Sequence, residues 1–353
     1  MSADPLLHDT INVRNAHVFP GIKQKRHCGK SVKADHRGRA ETDQTMKFFR
    51  YAAGGAALLA FALAILGSWV RINGAGMTCP DWPKCRGALV PTLSGGVVLE
   101  WSHRVLAMTV GFVIVAAFVA GWRMRREIAG VVPTLIALVA IFVLQVSLGG
   151  VTIFQANSPP SVMMHWGAAM LLLTTLIVLS MLAILAPRAG SGVPAIRGGT
   201  PFPALAVATF FAYVTMCIGS FVSSSGAGLA CATFPSCDGT LTGSSTPQLL
   251  QMLHRMAAGT FFVAALTAAV FAAQSGMARV RAWAIAGASL TLLQVALGIG
   301  NVVLRMPTLL REAHAANAVL TFLVFVVATF LSTLDPVGER VSVTTGLAMR
   351  RAV

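Results

Sequence analysis

The sequence predicts an all-α integral membrane protein, with eight transmembrane helices forming two pseudo-symmetric four-helix bundles by parallel duplication. Three observations carry this. First, 56% of the 353 residues are hydrophobic and only 11% are charged, with a mean hydropathy of +0.73; soluble domains carry about a quarter charged residues. Second, eight apolar stretches reach the roughly 20 residues that a bilayer crossing needs. They lie near 47–70, 98–121, 130–153, 162–186, 202–222, 249–273, 281–303 and 313–333. Their length and lack of two-residue alternation make them helices rather than strands. Third, the chain repeats itself: GSWVRINGAGMTCPDWPKCRG at Gly67–Gly87 recurs as GSFVSSSGAGLACATFPSCDG at Gly219–Gly239.

The expected organisation follows from these signals. Residues 1–45 form a polar, basic tail without an apolar run, and composition marks it as disordered. The second reading is a start at Met46, because MKFFRYAAGG opens like an ordinary membrane helix. The tail's acidic residues argue against a transit peptide, and its histidines (His8, His17, His27, His36) and Cys28 are assigned no chemistry. The first four-helix half spans 46–186, a Gly- and Pro-rich linker 187–203, the second half 204–333 and a C-terminal tail 334–353. Four helices per half is an even number, so both copies keep one orientation about an axis along the membrane normal.

A net charge of +15 would suit nucleic acid, but its placement excludes that partner and points to a lipid bilayer. Arg123, Arg125 and Arg126, then Arg188 and Arg197, Arg279 and Arg281, and Arg350 and Arg351 occupy alternate loops or the tail. By the positive-inside rule these loops and both termini face the cytoplasm of a bacterial inner (plasma) membrane. The two cysteine loops then face outward, where disulfides persist.

Along the chain, the first span ends near Arg71 and leads into Cys79-Pro-Asp-Trp-Pro-Lys-Cys85, stiffened by two prolines. The second span opens with Glu100, His103 and Arg104. The third ends in LQVSLGG, and the fourth opens with MMHWGAAM and His165. In the second half Cys231 and Cys237 match Cys79 and Cys85, His254 and Arg255 match His103 and Arg104, LQVALGI matches LQVSLGG, and His314 matches His165. One partner differs: Glu100 faces Gln251.

Outside the tail the four histidines His103, His165, His254 and His314 are the only ones, each near the outer end of an even-numbered span. A polar side chain in a span is costly and faces the bundle interior or a cavity. A lone case reads as an interfacial histidine; two matched pairs read as axial ligands of two haem irons. Zinc fits poorly, since neither pair belongs to a compact set of three or four ligands. Gly149, Gly150, Gly167, Gly298 and Gly300 leave room for a flat cofactor or for close helix packing, with nothing to choose between them. Arg71, Lys84, Arg86, Arg104, Arg255, Arg305 and Arg311 are the outer cations available to haem propionates, and the repeated pair Arg104 and Arg255 is the first choice. Glu100 lies one helical turn from His103; it either relays protons or pairs with Arg104. An amide at Gln251 cannot exchange protons in turnover, so one half reacts while the other carries electrons.

Each Cys-x5-Cys loop predicts a disulfide, Cys79–Cys85 and Cys231–Cys237, either bracing the loop or acting in redox chemistry. Cys217 within the fifth span reads as a packing residue.

The Glu-x-x-His-Arg motif of Glu100, His103 and Arg104, combined with GAGMTCPDWPKC and the duplicated histidines, resembles the haem A synthase family over about residues 46–333. The resemblance implies a haem-dependent membrane oxidoreductase that converts the C8 methyl group of haem O to a formyl group by successive hydroxylations. It implies a haem b on His254 and His314. It also implies haem O as substrate at His103 and His165, with Glu100 as the catalytic carboxylate and water or oxygen supplying the new oxygen atom. The product serves haem-copper cytochrome oxidases, with a haem O synthase as neighbour and an unidentified electron donor; homo-oligomer formation is left open. The rival readings are a bis-haem, quinol-oxidising electron-transfer protein and a haem carrier without catalysis.

Overall fold

The computed structural model describes residues 28–189 and 201–334. The chain divides into two units, 1–43 and 44–353. Of the first, residues 28–43 are described, as the opening turns of a helix. Residues 28–45 include helix-favouring Ala, Lys, Arg, Glu and Gln. The earlier part of that tail, the centre of the linker and the C-terminal tail lie outside the described residues.

Among the described residues eight α-helices follow one another: α1 Cys28–Ile72, α2 Gly96–Arg123, α3 Val131–Phe154, α4 Pro159–Ala189, α5 Phe202–Ser224, α6 Thr246–Gln274, α7 Ala278–Val303 and α8 Thr308–Ser332. All eight are long and apolar enough to cross a membrane, and each covers a stretch expected from hydropathy. Among the described residues there is no strand, only the isolated bridges Cys85–Ala88 and Cys237–Thr240 in the two disulfide loops. Prolines open several helices: Pro159 and Pro160 in α4, Pro203 in α5 and Pro247 in α6, while Pro307 caps α8. A first-turn proline lacks an N–H that would have no helical partner anyway. Gly130, at φ 80°, turns the chain into α3 in a conformation only glycine adopts freely.

Within the bundle, α4 and α8 are the most enclosed, with 56% and 61% of their spans buried against 17–28% for α2, α3, α6 and α7. The two central helices touch each other, and α5 packs against both. Around them run the pairs α2–α3, α3–α4, α5–α6, α6–α7 and α7–α8. In lipid, burial removes little surface from water, so packing must hold the helices together. Small residues serve that purpose: Ala53, Ala56 and Ala60 are fully or nearly fully buried on α1, and Gly121 of α2 lies against the ring of Phe49. This packing brings the first turns of α2, α4, α6 and α8 to one end of the bundle, beside the disulfide loops.

Candidate functional site

Each of the four histidines rests against a glycine on the helix before it. A Cβ added to Gly67 of α1 would stand 2.9 Å from Cε1 of His103 on α2. A Cβ on Gly219 of α5 would stand 2.8 Å from Cε1 of His254 on α6. Gly149 and Gly298 hold the same relation to His165 and His314, each at 3.3 Å. The rings therefore sit where any larger residue would displace them. His103 lies within electrostatic reach of His165, and His254 of His314, so each half brings its own pair together. The Nδ1 atoms of His103, His165 and His254 are buried without a hydrogen-bond partner.

The repeated LQV motif supplies the neighbours of the second histidine in each pair. Gln145 Nε2 lies 3.4 Å from His165 Nε2, and Gln294 Nε2 lies 3.1 Å from His314 Nε2. In the second half Asn317 donates from Nδ2 to Gln294 Oε1 at 2.8 Å and to the Leu290 carbonyl at 3.0 Å. The first half has Ala168 at the equivalent position, and Gln145 Oε1 is buried without a partner. The glutamine beside the second histidine is thus anchored by a side chain in the second half and not in the first.

A cavity of about 410 Å³ opens in the second half. Its walls include His254 and His314, with Phe261 and Val295 among the apolar lining and Gln251, Arg255, Arg71 and Arg311 among the polar lining. Arg71 and Trp166 reach it from helices of the first half.

The disulfides Cys79–Cys85 and Cys231–Cys237 are both formed and buried, as the spacing predicted. Glu100, only 4% exposed, binds the first loop to α2. Its Oε2 accepts from Thr78 Oγ1 at 2.9 Å and Cys79 N–H at 2.8 Å, while Oε1 pairs with Arg104 at 2.7 Å. Gln251 makes the matching contact: its Oε1 accepts from Cys231 N–H at 2.5 Å, and its Nε2 donates to the Gly228 carbonyl at 2.8 Å. In the first half that carbonyl's counterpart, Gly76, is served by Asn157 Nδ2 at 2.9 Å. Asn157 is replaced by Met306, which has no donor, so the amide at Gln251 fills the gap. The Glu100–Gln251 difference therefore has a hydrogen-bonding cause in the loop.

The repeated arginines are committed to the same loops. Arg104 donates to the carbonyls of Asp81 at 2.7 Å, Lys84 and Cys79 at 2.8 Å, and pairs with Glu100. Arg255 donates to the carbonyls of Thr233, Pro235, Ser236 and Cys231. Chosen from the sequence as cations for haem propionates, both have their terminal donors on loop backbone, and Arg255 also lines the cavity. A backbone acceptor missing its partner would be costly at such a site, and the guanidinium fork supplies several donors at once. Asp81 completes the first loop, accepting from Arg86 N–H at 2.5 Å and Gly87 N–H at 2.8 Å. Those backbone donors, Gly87 first, hold its carboxyl below the usual carboxylate range.

The chain matches the family model COX15-CtaA, described as cytochrome oxidase assembly protein, over residues 50–97 and 94–326. The chain belongs to that family. Among its relatives is a heme A synthase of Bacillus licheniformis, 29% identical over 256 residues, which cover 70% of this chain and 84% of that protein. Heme A synthases of Rhizorhabdus wittichii and Symbiobacterium thermophilum are 26% and 27% identical, over 75% and 64% of this chain and 88% and 77% of theirs.

As a member of the COX15-CtaA family, the chain has residues that fit a haem. Partnerless buried imidazole nitrogens, glycines that admit the rings and a cavity meeting both His254 and His314 are what axial ligation of a flat macrocycle requires. Of the other predicted positions, Gly150 faces Trp82, Gly167 faces Tyr213 and Cys217, and Gly300 faces Leu310, so these three serve packing. Arg86 Nε donates to the Thr78 carbonyl, while Lys84 and Arg305 are exposed. Cys217 is a free, partly buried thiol beside Tyr213. Sequence reasoning missed Gly67 and Gly219, although both open the repeated GSWV and GSFV motifs. It also missed Gln145 and Gln294 as histidine neighbours, although the repeated LQV motif marked them.

Proposed function

We propose that this chain is a haem A synthase that oxidises the C8 methyl group of haem O to a formyl group by successive hydroxylations, for use by cytochrome oxidases. The family match and the named relatives support the pathway. The observation that carries the site is the pair of duplicated, glycine-backed histidine pairs. In this reading His254 and His314 hold a resident haem b, and His103 and His165 receive haem O as substrate. When bound, the resident haem supplies one-electron chemistry.

The chain's own residues do the rest. The four imidazoles orient the macrocycles, Gly67 and Gly219 let the rings seat, and the braced loops keep water from the pockets. Glu100 handles a proton at Oε1, the oxygen paired with Arg104, while Oε2 keeps the loop in place. Basic loops on the opposite side support an inner-membrane protein with both termini cytoplasmic. Its partners are the lipid bilayer, a haem O synthase upstream and an electron donor; the cationic surface serves topology rather than nucleic acid.

The test is expression in cells that make haem O, followed by haem extraction and chromatography, with and without His103→Ala. Haem A or its hydroxylated precursor arising only with the intact protein supports the enzyme. Haem b alone, despite a haem O supply, supports the electron-transfer reading instead. Glu100→Gln separates the two duties of that residue: an amide oxygen still accepts from Cys79 N–H, as Gln251 does from Cys231. Loss of product with an intact loop supports proton handling; full haem A production reduces Glu100 to a loop anchor.

A further inference from the structure

Three charged side chains gather where the two halves meet at the loop end of the bundle. Arg71 comes from the last turn of α1, Arg311 from the first turn of α8 and Glu312 from the residue that follows it. Arg71 and Arg311 both line the second-half cavity with His254 and His314. Arg71 donates to the Ser223 hydroxyl of α5. Glu312 lies beside Arg71 and Ser68, yet both its carboxylate oxygens are buried without a hydrogen-bond partner, as is Arg311 Nε. A cation in the first turn of a helix opposes the helix dipole, and a buried guanidinium nitrogen without an acceptor is costly. The contacts within the chain therefore explain Arg311 poorly. Arg255, the other cation on the wall, has its terminal donors on loop carbonyls.

We infer that Arg71 and Arg311 form the anion-binding edge of the second-half cavity and take the two carboxylates of its macrocycle, with the first half completing the second half's site. This rests on the haem reading of the histidine pairs. Guanidinium forks are suited to carboxylates, and Glu312 keeps the Arg71 charge accompanied while the edge is unliganded. The duplication shows what is special here. At the positions equivalent to Arg71, Arg311 and Glu312 stand Ser223, Val162 and Met163. The first half thus lacks this charged edge and holds its ligand more loosely, which suits a site that must release a product. The second half retains its ligand.

The test uses the full-length protein in nanodiscs, prepared haem-free in a His103→Ala/His165→Ala background so that only the second-half site remains. Haemin and haemin dimethyl ester, whose carboxylates are masked, are titrated by absorption spectroscopy. Arg71→Met and Arg311→Met should each weaken haemin binding about tenfold or more, the effect of a lost charge-assisted hydrogen bond. Binding of the ester should be weaker throughout and unchanged by either substitution. Arg71→Lys should fall between wild type and Arg71→Met for haemin alone. Variants that bind haemin as tightly as their parent, or lose haemin and ester in equal proportion, overturn the inference. A parent protein that binds neither ligand, or binds them regardless of His254→Ala, overturns the haem reading itself.

Discussion

Replacing Gly219 with alanine tests the histidine geometry directly. The added Cβ would stand 2.8 Å from Cε1, 3.2 Å from Nδ1 and 3.6 Å from Nε2 of His254. Ordinary contact begins near 3.4 Å, so the ring must retreat by about 0.6 Å. A functional constellation tolerates roughly 0.5 Å before it loses its geometry, and overpacking of this kind costs about 1–3 kcal/mol. His254 cannot escape by hinging at its helix, because Gln251 and Arg255 tie the same turn of α6 to the disulfide loop. Gly219→Ala should therefore lower haem content and shift the absorption spectrum of the purified protein. Gly67→Ala should do the same in the first half, where the contact is 2.9 Å. Gly298→Ala, at 3.3 Å, should have a much smaller effect. Gly55→Ala is the control: its Cβ meets nothing within 4 Å, and alanine should stabilise that helix by about 0.5–1 kcal/mol. Haem content, spectrum and thermal melting of the four variants give the ranking. If Gly219→Ala is indistinguishable from wild type, or Gly55→Ala is as damaging, the glycine-backed cradle is wrong.

Further outcomes are expected from the surrounding contacts. Asn317→Ala should destabilise the second half by about 1–3 kcal/mol, since Gln294 Oε1 loses its donor; melting measured with Ala168→Ser, which falls on its first-half counterpart, should show no comparable loss. Removing the disulfide Cys231–Cys237, with a separation of 6 residues, should cost about 2 kcal/mol by the loop-closure relation, seen as a lower melting temperature of Cys231→Ala/Cys237→Ala. The first loop should also be acid-sensitive in a way the second is not. Asp81 has its carboxyl depressed by the Gly87 and Arg86 N–H groups, so its contribution is present above its unfolded value, near pH 4, and is lost as pH falls through the lower folded value. Thr233 occupies that place in the second loop and accepts from Asp238 N–H at 3.0 Å without titrating. Protection of residues 78–88, corrected for the pH dependence of intrinsic exchange, should fall below about pH 4 more than that of 230–240; Asp81→Asn should remove the difference.

By itself the sequence determined the eight spans, the duplication and the two disulfides, and it singled out four histidines at matching depths. Bilayer thickness sets helix length, apolar runs report it locally, and a repeat reveals which polar residues stand at equivalent depths. Partner choice lay beyond that reach. Arg104 read as an outer cation for a propionate or a partner of Glu100, and only tertiary structure placed loop carbonyls of Cys79, Asp81 and Lys84 around it. Glu100 against Gln251 looked purely chemical until Asn157 and Met306, far along the chain, were seen to decide which half needs an amide donor. Gly67 and Gly219 became meaningful only with an imidazole against each. Arg71 belongs to one half by sequence and lines the other half's cavity in space. Side-chain hydrogen bonds are short-range and directional, so their partners depend on which helices pack together, and hydropathy carries no record of that pairing.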